Sequence, residues 1–124
     1  MYEVEIIANF SAAHQLRDYQ GKCERLHGHN YRVHVTARRN ELGAGGMVID
    51  FGELKRVTSE ALERLDHRFL NEIPPFDTLE PSAENLAGYL FEDISQRLGA
   101  SGRYLHKVSV WESETSCATY TRSS

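Results

Sequence analysis

The chain has few of the features that mark secreted, membrane or disulfide-bonded proteins. No apolar run among its 124 residues is long enough to cross a bilayer, and its N-terminus is acidic and alternating, unlike a signal peptide. It contains two cysteines, Cys23 and Cys117, which lie far apart and outside any CxxC spacing. We therefore expect free thiols in a cytoplasmic protein that has no membrane partner.

Positive charge is also scarce, because 14 Lys and Arg stand against 18 Asp and Glu, for a net charge of −4. This balance argues against a nucleic-acid partner. The basic residues are concentrated, however, in residues 15–39, which carry six of them. That stretch is either a solvated face or a surface that attracts a small polyanion, with Arg17, Lys22 and Arg25 as candidates for phosphate contacts.

Local patterns predict an α+β fold. Three segments alternate apolar with polar side chains, as strands with one buried face do: residues 2–7, 31–38 and 107–112. Residues 118–121 are the candidate for a fourth strand. Between them, Asp50 and Ser82 can each cap a helix with an apolar stripe, the first of which begins at Phe51. We predict a single domain, 1–124, of order ββααββ, with two helices on one face of an antiparallel sheet. Its open sheet edges favour a homo-oligomer.

Three histidines form a candidate metal site. His27 and His29 are two residues apart, so on an extended strand both imidazoles project from the same face. His14 ends the preceding strand-like segment and can supply a third imidazole. Three protein ligands leave one position open on a tetrahedral zinc ion, as in catalytic sites. We interpret His34 and His106 as ordinary surface or hydrogen-bonded histidines.

Cys23, four residues before His27, allows three interpretations. It can be the fourth ligand of a closed structural zinc site, a reactive thiolate beside an open metal, or an inert buried cysteine. A thiolate near zinc is suited to removing a proton from carbon, because the metal stabilises the oxyanion that forms. For Cys117 we expect the buried, inert state.

Acidic residues elsewhere could also take part in chemistry. Asp66 and His67 follow the first helix, where a polar pair is ordinary, but a carboxylate that orients an imidazole can also relay protons. Since neighbouring side chains rarely bond each other well, we expect this pair to act together on a third group. Glu112 alternates in phase with two valines, Val108 and Val110, whose face we expect to be buried. It is either a strand end in solvent or a buried carboxylate that binds a guanidine-like ligand edge.

Together these motifs resemble the 6-pyruvoyl-tetrahydropterin synthase family, and within it the bacterial 6-carboxy-5,6,7,8-tetrahydropterin synthases. The matching stretches occur in family order and cover nearly the whole chain: residues 10–14, 23–31, 48–55, 65–67, 81–86 and Glu112. The resemblance implies the tunnelling fold (T-fold), in which ββααββ subunits join their sheets into a barrel. It also implies a homohexamer with active sites between subunits.

The resemblance further implies a role for each candidate residue. The zinc ligands are His14, His27 and His29. Cys23 is the base, and Asp66 and His67 complete the proton relay from a neighbouring subunit. Glu112 anchors the pterin ring through its amino-pyrimidine edge; Glu114 leaves the choice of glutamate open, although Glu112 fits the spacing to Tyr120 better.

The implied substrate is 7,8-dihydroneopterin triphosphate. Three residues separate Cys23 from His27, whereas the animal pyruvoyl-forming enzymes have a longer insertion there. This favours the branch that makes 6-carboxy-tetrahydropterin, acetaldehyde and triphosphate on the route to queuosine and other 7-deazaguanine compounds. The alternatives are a pyruvoyl-forming synthase, a zinc module without catalysis and a metallohydrolase.

Overall fold

The structure, a computed structural model, describes residues 1–17 and 25–123. Its strands are β1 (Tyr2–His14), β2 (His27–Arg39), β3 (Arg68–Phe69), β4 (Leu105–Trp111) and β5 (Cys117–Thr121). Helices α1 (Phe51–Glu63) and α2 (Ala83–Leu98) flank β3 in the sequence. Short 3-10 helices lie at Ala44–Gly46, Leu70–Glu72 and Gly99–Tyr104.

The predicted α+β order is confirmed, with the addition of β3. Within residues 1–17 and 25–123 the sheet has five strands in the order β3-β1-β2-β4-β5, and β3 pairs parallel with β1 while the other pairs are antiparallel. The number of strands predicted from the sequence was therefore wrong by one. A two-residue strand is too short to show the alternation by which strands are recognised.

Strands β1 and β2 are much longer than the alternating segments that predicted them. They pair along their whole length, from Tyr2 opposite Arg39 to His14 opposite His27. The backbone ladder continues through small and polar residues whose side chains give no clear period. The candidate histidines therefore lie within the sheet rather than in the connections around it.

Both helices pack on one face of the sheet, and their N-terminal caps are those predicted. The Asp50 carboxylate accepts a hydrogen bond from the Gly52 N–H at 3.0 Å, and the Ser82 hydroxyl accepts one from the Asn85 N–H at 3.2 Å. The apolar stripes of α1 and α2 join one buried cluster with β1, β2 and β4. Phe51 is an exception, since it is half exposed in the first turn of α1.

The opposite face of the sheet is polar, and two of its arginines have partners within the chain. Arg38 pairs with Glu3 at 2.8 Å, and the Arg32 guanidinium lies over the Trp111 ring. Arg32 and Arg38 therefore match the interpretation of their part of residues 15–39 as a solvated strand face, whereas Lys22 lies outside the described residues. Among the described residues, we find no helix that combines the length and the apolar character needed to cross a membrane.

Candidate metal centre

The three predicted histidines come together at one end of the face that the helices cover. Because β1 and β2 are antiparallel, His14 lies opposite His27, and His29 follows two residues further along β2. His14 is in phase with the buried Phe10, and the other two histidines are in phase with the buried Tyr31. The row of core side chains thus continues into three imidazoles.

The imidazoles are close enough to share one ion. One ring nitrogen from each of His14, His27 and His29 lies within 4.8 Å of the others. The Nε2 atoms of His14 and His27 are 3.0 Å apart. A tetrahedral zinc ion with ordinary Zn–N bonds would separate two nitrogens by about 3.3 Å. His14 is buried and the other two are half-buried, so the group is open on one side.

Two backbone carbonyls determine which nitrogens are available to a metal. The His14 Nδ1 lies 2.7 Å from the Pro81 carbonyl oxygen, and the His27 Nδ1 lies 2.8 Å from that of Arg25. A carbonyl oxygen can only accept, so both Nδ1 atoms carry the proton and neutral rings present Nε2 lone pairs to each other. Two lone pairs 3.0 Å apart repel unless a cation lies between them. The donor set therefore fits a metal ion.

Tyr31 is a member of this site that the sequence did not single out as functional. Its ring is fully buried and stacks on Phe10, with ring centroids 4.6 Å apart. Its hydroxyl lies 3.3 Å from the His14 Nδ1. Burial raises the pKa of the Tyr31 phenol, and the negative charge of Glu112 raises it further. The signal was its phase, since it follows His29 by two residues on the same face of β2.

The two cysteines lie in different parts of the chain. Cys23, together with Lys22, lies outside the described residues, so its role as base, ligand or inert thiol stays a prediction. Cys117 is an exposed free thiol at the start of β5. The prediction that Cys117 is buried was wrong, because β5 is an edge strand and Cys117 is its first residue.

Arg17 has protein partners rather than an open position for a phosphate. Its guanidinium contacts the carbonyl oxygens of Asn71 and Leu79 at 3.3 and 3.2 Å and a carboxylate oxygen of Glu80 at 3.5 Å. The charge of Arg17 made it a candidate for binding a phosphate. In the structure its guanidinium instead binds oxygen atoms of the protein. The sequence could not show this, because these partners lie more than 50 residues away.

Asp66 and His67 bond each other directly, contrary to our expectation for sequence neighbours. The His67 Nδ1 lies 3.1 Å from the Asp66 carboxylate, which also accepts the Ser11 backbone N–H at 2.9 Å. His67 has a φ of 57°, a left-handed conformation that few non-glycine residues adopt. The Ser11 hydrogen bond, followed by the His67 imidazole, lowers the pKa of Asp66.

His67 is not part of the cluster of three histidines, but it lines a cleft with one of them. Its side chain is 81% exposed, and it lines an open cleft of about 520 Å³ together with His29. The structure thus brings His67 and His29 to one cleft and holds Asp66 behind His67 against β1. Within one chain, the Asp66–His67 pair presents its imidazole to solvent.

Glu112 lies on the other side of His29. It follows the last residue of β4 and is half-buried, and its backbone N–H donates to the Ser116 carbonyl oxygen at 3.2 Å. A second cleft, of about 450 Å³, is lined by Glu112, Glu114 and His29. Glu114 is exposed, whereas Glu112 is close enough to the metal centre for its charge to act on Tyr31. Of the two glutamates, only Glu112 is shown to act on a residue of the metal centre.

Comparisons with known proteins identify relatives of this chain. The family model described as 6-pyruvoyl tetrahydropterin synthase matches residues 3–123. A 6-carboxy-5,6,7,8-tetrahydropterin synthase from Synechocystis is 38% identical over 90% of this chain and 87% of its own length. The human 6-pyruvoyl tetrahydrobiopterin synthase is 33% identical over 90% of this chain and 86% of its own length.

The two relatives differ in the number of residues inserted relative to this chain. A solved structure shares the fold. The alignment is 117 residues long with the Synechocystis protein and 126 with the human protein, so the human protein carries more residues that this chain lacks. The structure of Caenorhabditis elegans 6-pyruvoyl tetrahydropterin synthase superposes with a TM-score of 0.88 at 32% identity, covering 98% of this chain and 96% of that one. The predicted T-fold class is confirmed, and the chain belongs to the 6-pyruvoyl tetrahydropterin synthase family.

Proposed function

We propose that this protein is a zinc-dependent 6-carboxy-5,6,7,8-tetrahydropterin synthase acting on 7,8-dihydroneopterin triphosphate. The products would be 6-carboxy-tetrahydropterin, acetaldehyde and triphosphate, on the cytoplasmic route to queuosine. The observation that carries the proposal is the group of three imidazoles, two of which have their Nδ1 protons held by backbone carbonyls. Membership of the family supplies the substrate class.

The three histidines would hold the ion, and the hydrogen bonds of the site determine how. His14 and His27 would bind through Nε2, since their Nδ1 atoms donate to carbonyl oxygens. His29 would complete the set from the same face of β2 as His27. Bound there, Zn²⁺ would keep one coordination position for substrate oxygens and stabilise the negative charge that develops on them.

The remaining candidates would divide proton transfer from substrate binding. Cys23 would remove a proton from the substrate side chain as a thiolate. The imidazole of His67, oriented by Asp66 at 3.1 Å, would exchange protons with the reacting group. The Glu112 carboxylate would accept two parallel N–H donors from the amino-pyrimidine edge of the pterin.

A homohexamer with sites shared between subunits is part of this proposal. The Asp66–His67 pair projects its imidazole outward, where it could complete the site of a neighbouring subunit. The outer strands of the described sheet, β3 and β5, each have an edge that could pair with another sheet. Sedimentation analysis of the purified protein tests the stoichiometry directly.

The pyruvoyl-forming synthase is the second candidate, because it would use the same residues. The shorter spacing between Cys23 and His27 and the fewer insertions relative to the Synechocystis protein favour the carboxy-forming reaction. The reactions differ in how the intermediate breaks down. Their products differ in mass and in the release of acetaldehyde, so chemistry can separate them.

The deciding experiment is product analysis by mass spectrometry of zinc-loaded protein with 7,8-dihydroneopterin triphosphate. Cys23→Ala would be tested beside Cys117→Ala, which removes the other thiol from an exposed position on β5. We expect 6-carboxy-tetrahydropterin and acetaldehyde from the wild type and from Cys117→Ala. Cys23→Ala should bind zinc but turn over at least about a hundredfold more slowly, since a base is lost.

Other outcomes would lead to different conclusions. A 6-pyruvoyl product would move the protein to the second candidate with the site unchanged. Loss of zinc in Cys23→Ala would indicate a closed site with four protein ligands, and hence a zinc module. Phosphate release that does not depend on Cys23 would favour a metallohydrolase. Unchanged substrate in the presence of bound zinc would refute the proposed substrate.

A further inference from the structure

We propose that Asn71 and Arg17 are positioning residues for the metal centre. They fasten the chain that follows His14 to the connection that precedes Pro81, and so hold the hydrogen bond between the His14 Nδ1 and the Pro81 carbonyl oxygen. We refer to Asn71 and Arg17 together as the clamp. The proposal rests on the proposed function in one respect, namely that the three histidines bind a metal ion.

Asn71 binds the residue next to His14 at both of its backbone groups. The Gln15 N–H donates to the Asn71 Oδ1 at 2.8 Å, and the Asn71 Nδ2 donates to the Gln15 carbonyl oxygen at 2.7 Å. This side-chain amide therefore pairs with Gln15 as a neighbouring strand would, just beyond the end of β1. The backbone position from which His14 projects is fixed as a result.

Arg17 fastens the same segment to the residue before Pro81. Its backbone N–H donates to the Glu80 carboxylate at 2.7 Å, and its guanidinium contacts the Glu80 carboxylate at 3.5 Å and the Asn71 carbonyl oxygen at 3.3 Å. Hydrogen bonds from a charged donor or to a charged acceptor are stronger than neutral ones. Arg17 thus links the segment after His14 to Asn71 and Glu80, which both lie in the connection between β3 and α2.

Pro81 is consequently held from both sides. The Glu80 carbonyl oxygen accepts the Asn85 Nδ2 at 2.9 Å, and Ser82 caps α2. With Glu80 also bound to Arg17, the Pro81 carbonyl oxygen has little freedom to move away from His14. These contacts form a closed cycle that runs from His14 through the clamp to Pro81 and back to His14.

This cycle of contacts matters for the metal because the Pro81 carbonyl oxygen determines which nitrogen of His14 is available to bind it. A partner that orients a metal-bound histidine typically contributes a factor of about 10 to 100 in metal affinity. Asn71 acts one step further away, through the backbone. We expect its loss to weaken zinc binding by about tenfold, near the lower end of that range.

A purely structural role for the clamp is the alternative, and the chain offers a matched control. The Arg122 guanidinium also binds a backbone carbonyl oxygen, that of Gly102 at 2.8 Å, and lies near the Ser95 hydroxyl at 3.5 Å. It fastens the C-terminal segment to the connection after α2, away from the histidines. Arg122→Ala should therefore lower stability without changing metal affinity.

The experiment compares Asn71→Ala, Asn71→Asp and Arg122→Ala with the wild type. Zinc affinity would be measured by chelator competition, ligand geometry by the visible spectrum of the Co²⁺ form, and stability by urea unfolding of the metal-free proteins. Asn71→Asp retains an acceptor for the Gln15 N–H but places a second oxygen against the Gln15 carbonyl. We expect both Asn71 variants to lose about tenfold in zinc affinity and to shift the Co²⁺ spectrum.

The results separate failure of the clamp from failure of the metal centre. Wild-type affinity and an unchanged Co²⁺ spectrum in both Asn71 variants would overturn the clamp alone. Equal loss of affinity in Arg122→Ala would also overturn it, since the effect would then follow stability. If Asn71→Ala does not fold, Asn71→Asp and Arg17→Lys decide by the same measurements. A wild type that binds no zinc would overturn the metal centre and the clamp with it.

Discussion

Strands β1 and β2 present one continuous face that is apolar core in one region and a candidate metal centre in the other. At one end Ile6 lies opposite Val35, both are nearly inaccessible to solvent, and the helices cover them. At the other end His14 lies opposite His27 in the same register, with Pro81 and Arg25 contributing carbonyl oxygens. The backbone pairing is the same, so the difference lies in side-chain type and in what covers each end.

This comparison shows how a core can become a site without a change in secondary structure. Because strand side chains alternate with period two, a slip of one residue would move the histidines and the core residues together to the opposite face. The dry core therefore holds the register that aligns His14 with His27. We expect mutations at the two ends to separate stability from metal binding.

The largest effect is expected from a change at the polar end. His29→Ala should lower zinc affinity by more than about a hundredfold, since loss of a ligand exceeds the effect of losing a partner of a ligand. The free energy of unfolding of the metal-free protein should change by about 1 kcal/mol or less, because the ring is half-buried. Chelator competition and urea unfolding measure the two quantities. Wild-type zinc affinity would remove His29 from the ligand set.

The converse change is at the apolar end. Ile6→Ala should lower the free energy of unfolding by roughly 2 to 5 kcal/mol, because Ile6 is 3% exposed and its loss leaves a cavity. Zinc affinity of the folded variant should stay within about threefold of the wild type, well below the effect of losing a ligand's partner. Ile7→Ala is the matched control, since Ile7 is 53% exposed on the other face. An equal loss of stability in Ile6→Ala and Ile7→Ala would contradict this expectation.

Tyr31 lies at the boundary between the two ends, and its substitution should have a smaller effect. Tyr31→Phe should cost about 1 kcal/mol near pH 8, because it removes the hydroxyl beside the His14 Nδ1. Burial raises the pKa of Tyr31 in the folded protein, so above pH about 10 the unfolded chain ionises first and the wild type loses stability. The stability gap to Tyr31→Phe should narrow between pH 8 and 10.5. A constant gap in urea titrations would contradict this.

The smallest effect is expected outside both ends, at Asp66. Its hydrogen bond from the Ser11 N–H and its contact with His67 lower the pKa of Asp66, so its contribution is present above the unfolded pKa of about 3.9. That contribution is lost as pH falls through the lower pKa of the folded state. Asp66→Asn should therefore cost less than about 1 kcal/mol at pH 7 and progressively less below pH 4. Urea unfolding from pH 7 to 3 provides the test.

Several features could be predicted because they depend on neighbouring residues. The caps at Asp50 and Ser82 and the apolar stripe of α2 lie within a few residues of the groups they serve. The predictions that were wrong concern features that depend on contacts between distant residues. Strand β3 exists because it pairs with β1, and Cys117 is exposed because β5 lies at the edge of the sheet.

For the site, the sequence by itself determined that His27 and His29 share a face, because the two-residue period belongs to the extended backbone. Only the tertiary structure decided that His14 lies opposite His27 and that its Nδ1 bonds Pro81, 67 residues away. It also turned Arg17 from a candidate for phosphate binding into a partner of Glu80. Side-chain periodicity is a local property, whereas a hydrogen-bond partner far along the chain is selected by how the elements pack.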